Sequence, residues 1–409
     1  MTTQGTAAGL VDWRTVERLT ALIPAGPSAS RSARASSVAV LRRSAQEAPA
    51  WVARITGLNR AAQQVAETTR VSVVDRAGLV RASTRALHGL MEQVPAPPAS
   101  EAIQLVGAAE VAGAMSLLAT RLLGQVVPAA PSGTSGHGGG ASGPARPSGE
   151  GDGEGDDVVT SGTAPARDVT TGEGWDGAAS PHLLLVAPNV LAVRRQMDLD
   201  MLDLPAWVCL HEMTHAVQLA AAPWLGPYLS DSMRMVIGAV VEAVYGGADG
   251  AGGISPRGRG SLPRRGRAVR LAARAGRGRV LESLMNVTDR AEVASLAAAL
   301  TFLEGHAEVV LDDVHPNRMP SVHRLRAVLS RSRAADGGIG PGPGLGSLLL
   351  HRLMGLEAKE AQYADGAAFV RSVVTRIGHE GLNAVWADPE LLPTPAELAR
   401  PDVWVRRVS

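Results

Sequence analysis

The chain has 409 residues, of which 45% are hydrophobic, and its formal net charge is +1. A chain of this size buries a substantial core, and a charge so close to zero provides no overall field that attracts nucleic acid or an anionic membrane. The single cysteine, Cys209, excludes an internal disulfide. The first residues show no signal-peptide pattern, and no run approaches the roughly 18 apolar residues of a membrane span. We therefore expect a soluble cytoplasmic protein without membrane association.

The first 128 residues predict an N-terminal helical part. Residues 71–76 fit either a short strand or the entry to a helix, because three valines precede an aspartate and an arginine. Apolar residues recur at helical spacing over residues 13–22, 38–58, 77–91 and 102–123.

Residues 129–180 differ in character from the rest of the chain. Pro, Gly, Ser and Thr dominate them, and an acidic patch lies near their middle, at residues 150–157. The glycine spacing of that patch does not match a calcium-binding loop. We expect a flexible insert without a packed core.

The remaining residues, 181–409, open with a short apolar run at 183–186 that predicts a buried strand. A helix should follow. Asp203 is a good N-cap, Pro205 fits a first turn, and Pro223 should end the helix.

This helix carries His211, Glu212 and His215 in an H-E-x-x-H pattern. Positions four apart lie on one helix face, so both imidazoles can bind one Zn²⁺, and Glu212 can take a proton from a water molecule beside it. The alternative is an ordinary amphipathic helix with two polar residues one turn apart. We favour the metal site, because the surrounding residues are apolar and buried imidazoles need partners.

A catalytic zinc ion usually has three protein ligands and one open position. A third histidine six residues after His215 is excluded, since position 221 is alanine. A later helix, predicted from Asp289 onwards, places Glu304 and Glu308 on an apolar face. Buried carboxylates are costly unless they are paired or ligating. We predict that Glu304 binds the metal and that Glu308 accepts a hydrogen bond from the outer N–H of one metal-binding histidine. The alternative is a pair of glutamates that face water.

The rest of this part alternates between helices and flexible segments. A helix is predicted over 230–244, and helical spacing returns over 347–375, while residues 383–404 should pack on the body as an extended segment. Flexible inserts are expected near 246–279 and 334–346. The insert near 246–279 is rich in arginine, and one alternative is a nucleic-acid-binding protein that uses this insert and whose zinc is structural. However, the insert has no aromatic residue for base stacking. We favour a solvated loop and do not expect nucleic acid as a partner.

The two motifs resemble those of the gluzincins, whose second helix supplies a glutamate ligand from an N-E-G-x-x-x-Y or E-x-x-x-D segment. Glu304-Gly305 resembles the first segment with Leu303 in place of Asn, and Glu304 with Glu308 resembles the second with Glu in place of Asp. The chain as a whole resembles the actinobacterial zincin-like metallopeptidase family, formerly a domain of unknown function, some members of which are associated with biosynthesis of a deazaflavin coenzyme. The similarity includes Asp12-Trp13, residues 51–58, 74–76, 123–125, 186–189, 207–218, 223–225 and 303–308, and in the tail Gln362-Tyr363, Trp386 and Trp404.

The resemblance implies a mainly α, compact gluzincin-like zinc metallopeptidase fold with at most a few short strands and long disordered inserts. It also implies that His211, His215 and Glu304 bind zinc and that Glu212 is the catalytic base. It does not imply a substrate; we expect a peptide or protein cleaved at an amide bond. The alternative is a zincin-fold binding or maturation factor without protease activity, against which the intact Glu212 argues.

Hydrolysis of an amide also requires a donor that stabilises the transition-state oxygen. Tyr363, His306, His323 and His379 are candidates, and Tyr363 is the first choice because it falls in a family-like segment. His306 lies on the opposite side of its helix from Glu304, so we do not predict it as a ligand. Nothing in the sequence indicates the oligomeric state.

Overall fold

The computed structural model describes residues 5–127, 181–245, 287–327 and 366–409. These residues are mostly helical and contain two small sheets, which confirms the predicted mainly α fold. The inserts expected at 129–180, 246–279 and 334–346 lie outside the described residues.

Helices are present at each of the predicted stretches 13–22, 38–58, 77–91 and 102–123, and two unpredicted helices occur at Asn59–Thr68 and Ala187–Gln196. The alternative at residues 71–76 resolves into a strand, after which the Asp75 side chain accepts a hydrogen bond from the N–H of Gly78 and caps the next helix. The N-terminal helices are α1 (Trp13–Thr20), α2 (Arg31–Thr56), α3 (Asn59–Thr68), α4 (Arg76–Glu92) and α5 (Glu101–Arg121). The later helices are α6 (Ala187–Gln196), α7 (Asp203–Ala221), α8 (Leu225–Tyr245), α9 (Val287–Asp312), α10 (Gly366–Leu382), α11 (Pro395–Leu398) and α12 (Pro401–Val408).

Short strands form the two sheets. Strand β1 (Gly5–Thr6) pairs antiparallel with β3 (Pro95–Ala96). The larger sheet has the order β2-β5-β4, in which β5 (His182–Val186) runs parallel to β2 (Arg70–Val74) and antiparallel to β4 (Gly124–Val127). The predicted strand at 183–186 is therefore the central strand of this sheet.

The apolar run of β5 is buried on both of its faces. Leu183 and Leu185 belong to the core that contains α2 and α7, whereas Leu184 and Val186 belong to the core that contains α4 and α5. Successive side chains of a strand point to opposite faces, so one strand joins the two cores. The sheet thus helps to hold α7 in place.

Helix α7 is buried nearly all round, because its sequence is apolar on every face. Its start differs slightly from the prediction. The side chain of Asp200 accepts hydrogen bonds from the N–H groups of Leu202 and Asp203, while Asp203 accepts one from the N–H of Ser321. The helix ends at Ala221, just before the predicted proline, since proline cannot continue the hydrogen-bond ladder.

Helix α9 lies against α7, α8 and α10. Its backbone comes very close to that of α10, because a Cβ atom added to Gly305 would lie 2.2 Å from the carbonyl carbon of Gly366. A Cβ atom on Gly366 would lie 2.0 Å from the carbonyl oxygen of Thr301. Because Gly305 and Gly366 have no side chains, α9 and α10 can approach closely at the residue next to Glu304.

The tail packs on the body, as predicted, but it is not extended. Residues 383–409 form two 3₁₀ turns followed by α11 and α12, and Trp386 and Trp404 are buried. The prediction missed a capping box in which Thr394 and Glu397 bond to each other's backbone N–H groups. Prolines at the first turns of both helices and this cap favour helix over extended chain.

Within the part of the chain that the structure describes, two helices are long and apolar enough to cross a membrane, Glu101–Arg121 and Arg290–Asp312. A buried core helix of a water-soluble protein passes the same test, and 67% of the most apolar window of the second helix is buried inside the protein. The finding is weak support for a membrane span.

Candidate metal centre

Helix α7 places the two motif histidines on one face. The Nε2 atoms of His211 and His215 are 3.3 Å apart, and the two rings meet edge to face with centroids 4.9 Å apart. This is the geometry expected for residues one helical turn apart. Both nitrogen atoms face a common point.

Glu304 reaches that point from α9. Its Oε2 lies 3.4 Å from Nε2 of His211, and its Oε1 lies 3.6 Å from Nε2 of His215. Among the residues that the structure describes, these three form the one group of His, Cys, Asp or Glu able to hold a metal ion, with all ligand atoms within 4.8 Å of one another. Two segments far apart in sequence thus meet at one point.

The donor set fits zinc in both chemistry and dimensions. Zinc binds imidazole nitrogen and carboxylate oxygen at about 2.0–2.2 Å, so two ligand atoms at a tetrahedral ion are about 3.3–3.6 Å apart. The separations of 3.3, 3.4 and 3.6 Å in the structure lie within that range. The side chains of His215 and Glu304 remain 18% and 28% exposed, so solvent can reach the fourth position.

Glu212 is buried beside the ligands, with only 3% of its surface exposed. It lies against the first residue of β4, where a Cβ atom added to Gly124 would be 2.7 Å from its Cγ and 3.1 Å from its Oε1. Only glycine leaves room for the carboxylate in this position. Gly124 falls in the family-like segment 123–125, but its role depends on the sheet lying against α7 and could not be read from the sequence.

Burial and neighbouring charges alter the pKa values of these groups. Burial raises the pKa of Glu212 to about 8, and the charge of Glu304 acts in the same direction, while His215 opposes it. Burial alone would lower the pKa of His215, but the charge and hydrogen bond of Glu304 outweigh it and raise that pKa to about 9. The same pairing holds the pKa of Glu304 well below its usual range, despite burial. A divalent cation held by these residues would replace the proton of His215 and favour the carboxylate form of Glu212.

The outer nitrogen of His215 bonds to Gln218, the last residue of the family-like segment 207–218. Nδ1 of His215 lies 2.9 Å from Oε1 of Gln218. Nε2 of Gln218 donates to the carbonyl oxygen of Leu303 at 3.0 Å and lies 2.9 Å from Nδ1 of His306. The available sequence signal was a polar residue three positions after His215, on the same face of an apolar helix.

Glu308 lies on α9, one turn after Glu304, and forms an ion pair with Arg371 of α10 at 3.1 Å. In the structure, Gln218 and not Glu308 bonds to the outer nitrogen of His215. A bond from Glu308 to His211 stays a prediction.

The candidate oxyanion donors lie in different surroundings. Tyr363 lies outside the described residues. His306 is completely buried and its pKa is lowered to about 3 by that burial, His323 is exposed on the surface, and His379 bonds to Asp313 at 2.9 Å. The described residues bring none of these histidines into the ligand group, although His306 contacts it through Gln218.

Two histidines from one helix and a glutamate from another form a candidate site for a single metal ion, with the donor set found in zincins. The chain belongs to the zincin-like metallopeptidase family, whose family model matches residues 11–405. Such a family implies a metal, usually zinc, and a hydrolase. No curated protein matches the sequence.

The fold is similar to the crystal structure of a candidate hydrolase with a novel fold from Chloroflexus aurantiacus. The two sequences are 20% identical, the TM-score is 0.54, and the similarity covers 97% of this chain and 98% of the other. The likeness at this identity concerns the fold alone.

Proposed function

We propose that the protein is a zinc-dependent metallopeptidase that cleaves an amide bond in a peptide or protein substrate. The observation that carries the proposal is the convergence of the ligand atoms of His211, His215 and Glu304 at tetrahedral spacing. Family membership supports it.

The chain's own residues supply the other parts of the reaction. Zinc held by these ligands would act as a Lewis acid towards water and the substrate carbonyl. Glu212 follows the first ligand directly and lies beside the centre, so its carboxylate accepts the proton of the attacking water. The same carboxyl group then delivers this proton to the leaving nitrogen.

Burial of Glu212 also supports a catalytic role over a purely structural metal site. A structural zinc has four protein ligands and needs no base, whereas the described residues provide three ligand atoms here together with a buried acid. A binding or maturation factor without activity would have no use for this acid.

Two variants test the proposal. Metal analysis of the purified protein should find about one zinc per chain, and His215→Ala should abolish it. A peptide-library screen should then show cleavage by the wild type that Glu212→Gln loses while it keeps its zinc. Full zinc retention by His215→Ala would reject the metal centre, and equal turnover by Glu212→Gln would remove Glu212 from the reaction.

A further inference from the structure

The side-chain amide of Gln218 joins the two helices that supply the metal ligands. Gln218 is 1% exposed, and its amide has three polar neighbours. Its oxygen faces Nδ1 of His215 at 2.9 Å, and its nitrogen faces the carbonyl oxygen of Leu303 at 3.0 Å and Nδ1 of His306 at 2.9 Å. The amide oxygen and both amide hydrogens therefore have hydrogen-bond partners.

The carbonyl of Leu303 determines which way the amide points. A carbonyl oxygen only accepts hydrogen bonds, so the NH₂ group of Gln218 must face it. The amide oxygen then faces His215, whose Nδ1 must carry the proton. The lone pair of His215 Nε2 is left for the metal. The orientation of one amide thus selects the form of the imidazole that can bind a cation through Nε2.

The second amide hydrogen of Gln218 is donated to His306. Since Nδ1 of His306 accepts, the neutral ring carries its proton on Nε2. This ring is completely buried, with Phe302 stacked on it and the ring of Trp386 5.3 Å away, edge to face. It offers Gln218 a rigid acceptor with little freedom to move.

Leu303 and His306 flank Glu304 on α9. The amide that orients His215 is therefore bound to the same helical turn that carries the third ligand. A shift of α9 along α7 would break the hydrogen bonds of Gln218 as well as separate the ligands. One side chain consequently fixes both the direction of one ligand and the position of another.

We propose that Gln218 is a positioning residue of the metal centre, which aims Nε2 of His215 at the metal and aligns the turn of Glu304 with it. The inference rests on the proposed function, since it assumes that these ligands bind zinc. Gln218 itself touches neither the metal nor the substrate.

The test replaces Gln218 by methionine, which preserves length and apolar packing but has neither the amide oxygen nor the amide hydrogens. Partners that orient a metal-binding histidine typically change metal affinity by about 10–100-fold. We expect Gln218→Met to bind zinc about 10–100-fold more weakly than the wild type, as measured by competition with a chromophoric chelator.

Gln125→Met is the matched control. Gln125 is also buried, at 5% exposure, but its side chain accepts a hydrogen bond from Ser83 on α4 instead of a group near the metal. The control should lose stability to a similar degree and keep its zinc affinity within about twofold. Thermal unfolding of the metal-free proteins separates general destabilisation from the effect on the metal.

If Gln218→Met does not fold, His306→Phe is the second variant, because phenylalanine keeps the ring packing and removes one partner of the amide. It should weaken zinc binding less than the removal of the whole amide. Long-range ¹H–¹⁵N correlation spectra provide a readout that does not depend on activity or metal. They should show His306 of the wild type with its proton on Nε2, and a shifted Nδ1 resonance in Gln218→Met.

The outcomes distinguish the two ideas. A wild type that binds one zinc, together with a Gln218→Met variant of equal affinity, overturns the positioning role and leaves the metal centre intact. A proton on Nδ1 of His306 overturns it as well, since that atom could not then accept from Gln218. A wild type that binds no zinc overturns the proposed function instead.

Discussion

The replacement of Gly124 by alanine tests how closely the catalytic acid is positioned. The new Cβ atom would lie 2.7 Å from Cγ and 2.9 Å from Cδ of Glu212, whereas ordinary contact begins at 3.4 Å. The Cγ atom must therefore retreat by 3.4 − 2.7 = 0.7 Å. Neither Glu212 nor β4 can move freely, because both are buried.

Two effects of different size follow from this displacement. Overpacking of a buried site costs about 1–3 kcal/mol of stability. A misplacement of about 1 Å in an active site costs on the order of 10²-fold in rate, so a shift of 0.7 Å should lower hydrolysis by a factor of that order. Zinc content should not change, because the three atoms nearest to the new Cβ all belong to Glu212 and not to a metal ligand.

The assay measures cleavage of the best peptide from the library screen, expressed per bound zinc. The control is Gly89→Ala in α4, where an added Cβ atom meets nothing within 4 Å, and this variant should keep full activity and gain slightly in helix stability. If Gly124→Ala cleaves at the wild-type rate per zinc, the contact does not position the acid and the reasoning fails.

Two further predictions concern stability. Gly305→Ala should lower the free energy of unfolding in urea by at least about 3 kcal/mol, because the added atom meets the backbone of Gly366. The control Gly238→Ala, whose added atom has its nearest contact at 3.8 Å, should lower it little. Equal stabilities of the two variants would refute the close approach of α9 and α10. Burial would raise the pKa of Glu397, but its hydrogen bonds to Arg407 and Thr394 outweigh burial and lower the pKa. Glu397 therefore contributes its full stabilisation of the folded state above the unfolded pKa of 4.5. This stabilisation is lost as the pH falls below that value. The stability difference between wild type and Glu397→Gln should accordingly be larger at pH 6 than at pH 3, and a difference independent of pH would contradict this account.

The three candidate ligands could be picked out from the sequence because their chemistry is local or carries a visible cost. His211 and His215 share a helix face by spacing alone. Glu304 is a carboxylate on an apolar stripe, which demands a partner. Both inferences need only the helical period and the cost of burying a polar group.

The supporting residues depend on contacts between distant segments and were missed for that reason. Gln218 acquires its role from the carbonyl of Leu303, 85 positions later in the chain. Gly124 acquires its role from the antiparallel pairing that lays β4 beside α7. Periodicity places Gln218 on the face of His215 but does not give its partner, and neither residue type nor periodicity distinguishes Gly124 from an ordinary buried glycine.

The 3₁₀ turn Asn383–Trp386 closes the core around α9. Asn383 donates a hydrogen bond to the carbonyl oxygen of Thr56, the carbonyl oxygen of Trp386 accepts one from Trp224, and the ring of Trp386 lies against His306. During synthesis, this turn leaves the ribosome well after the ligands on α7 and α9. The contacts of Trp386 with His306 are therefore absent while the three candidate ligands are already synthesised. If these ligands bind zinc as proposed, stable binding should begin only after the turn has been translated.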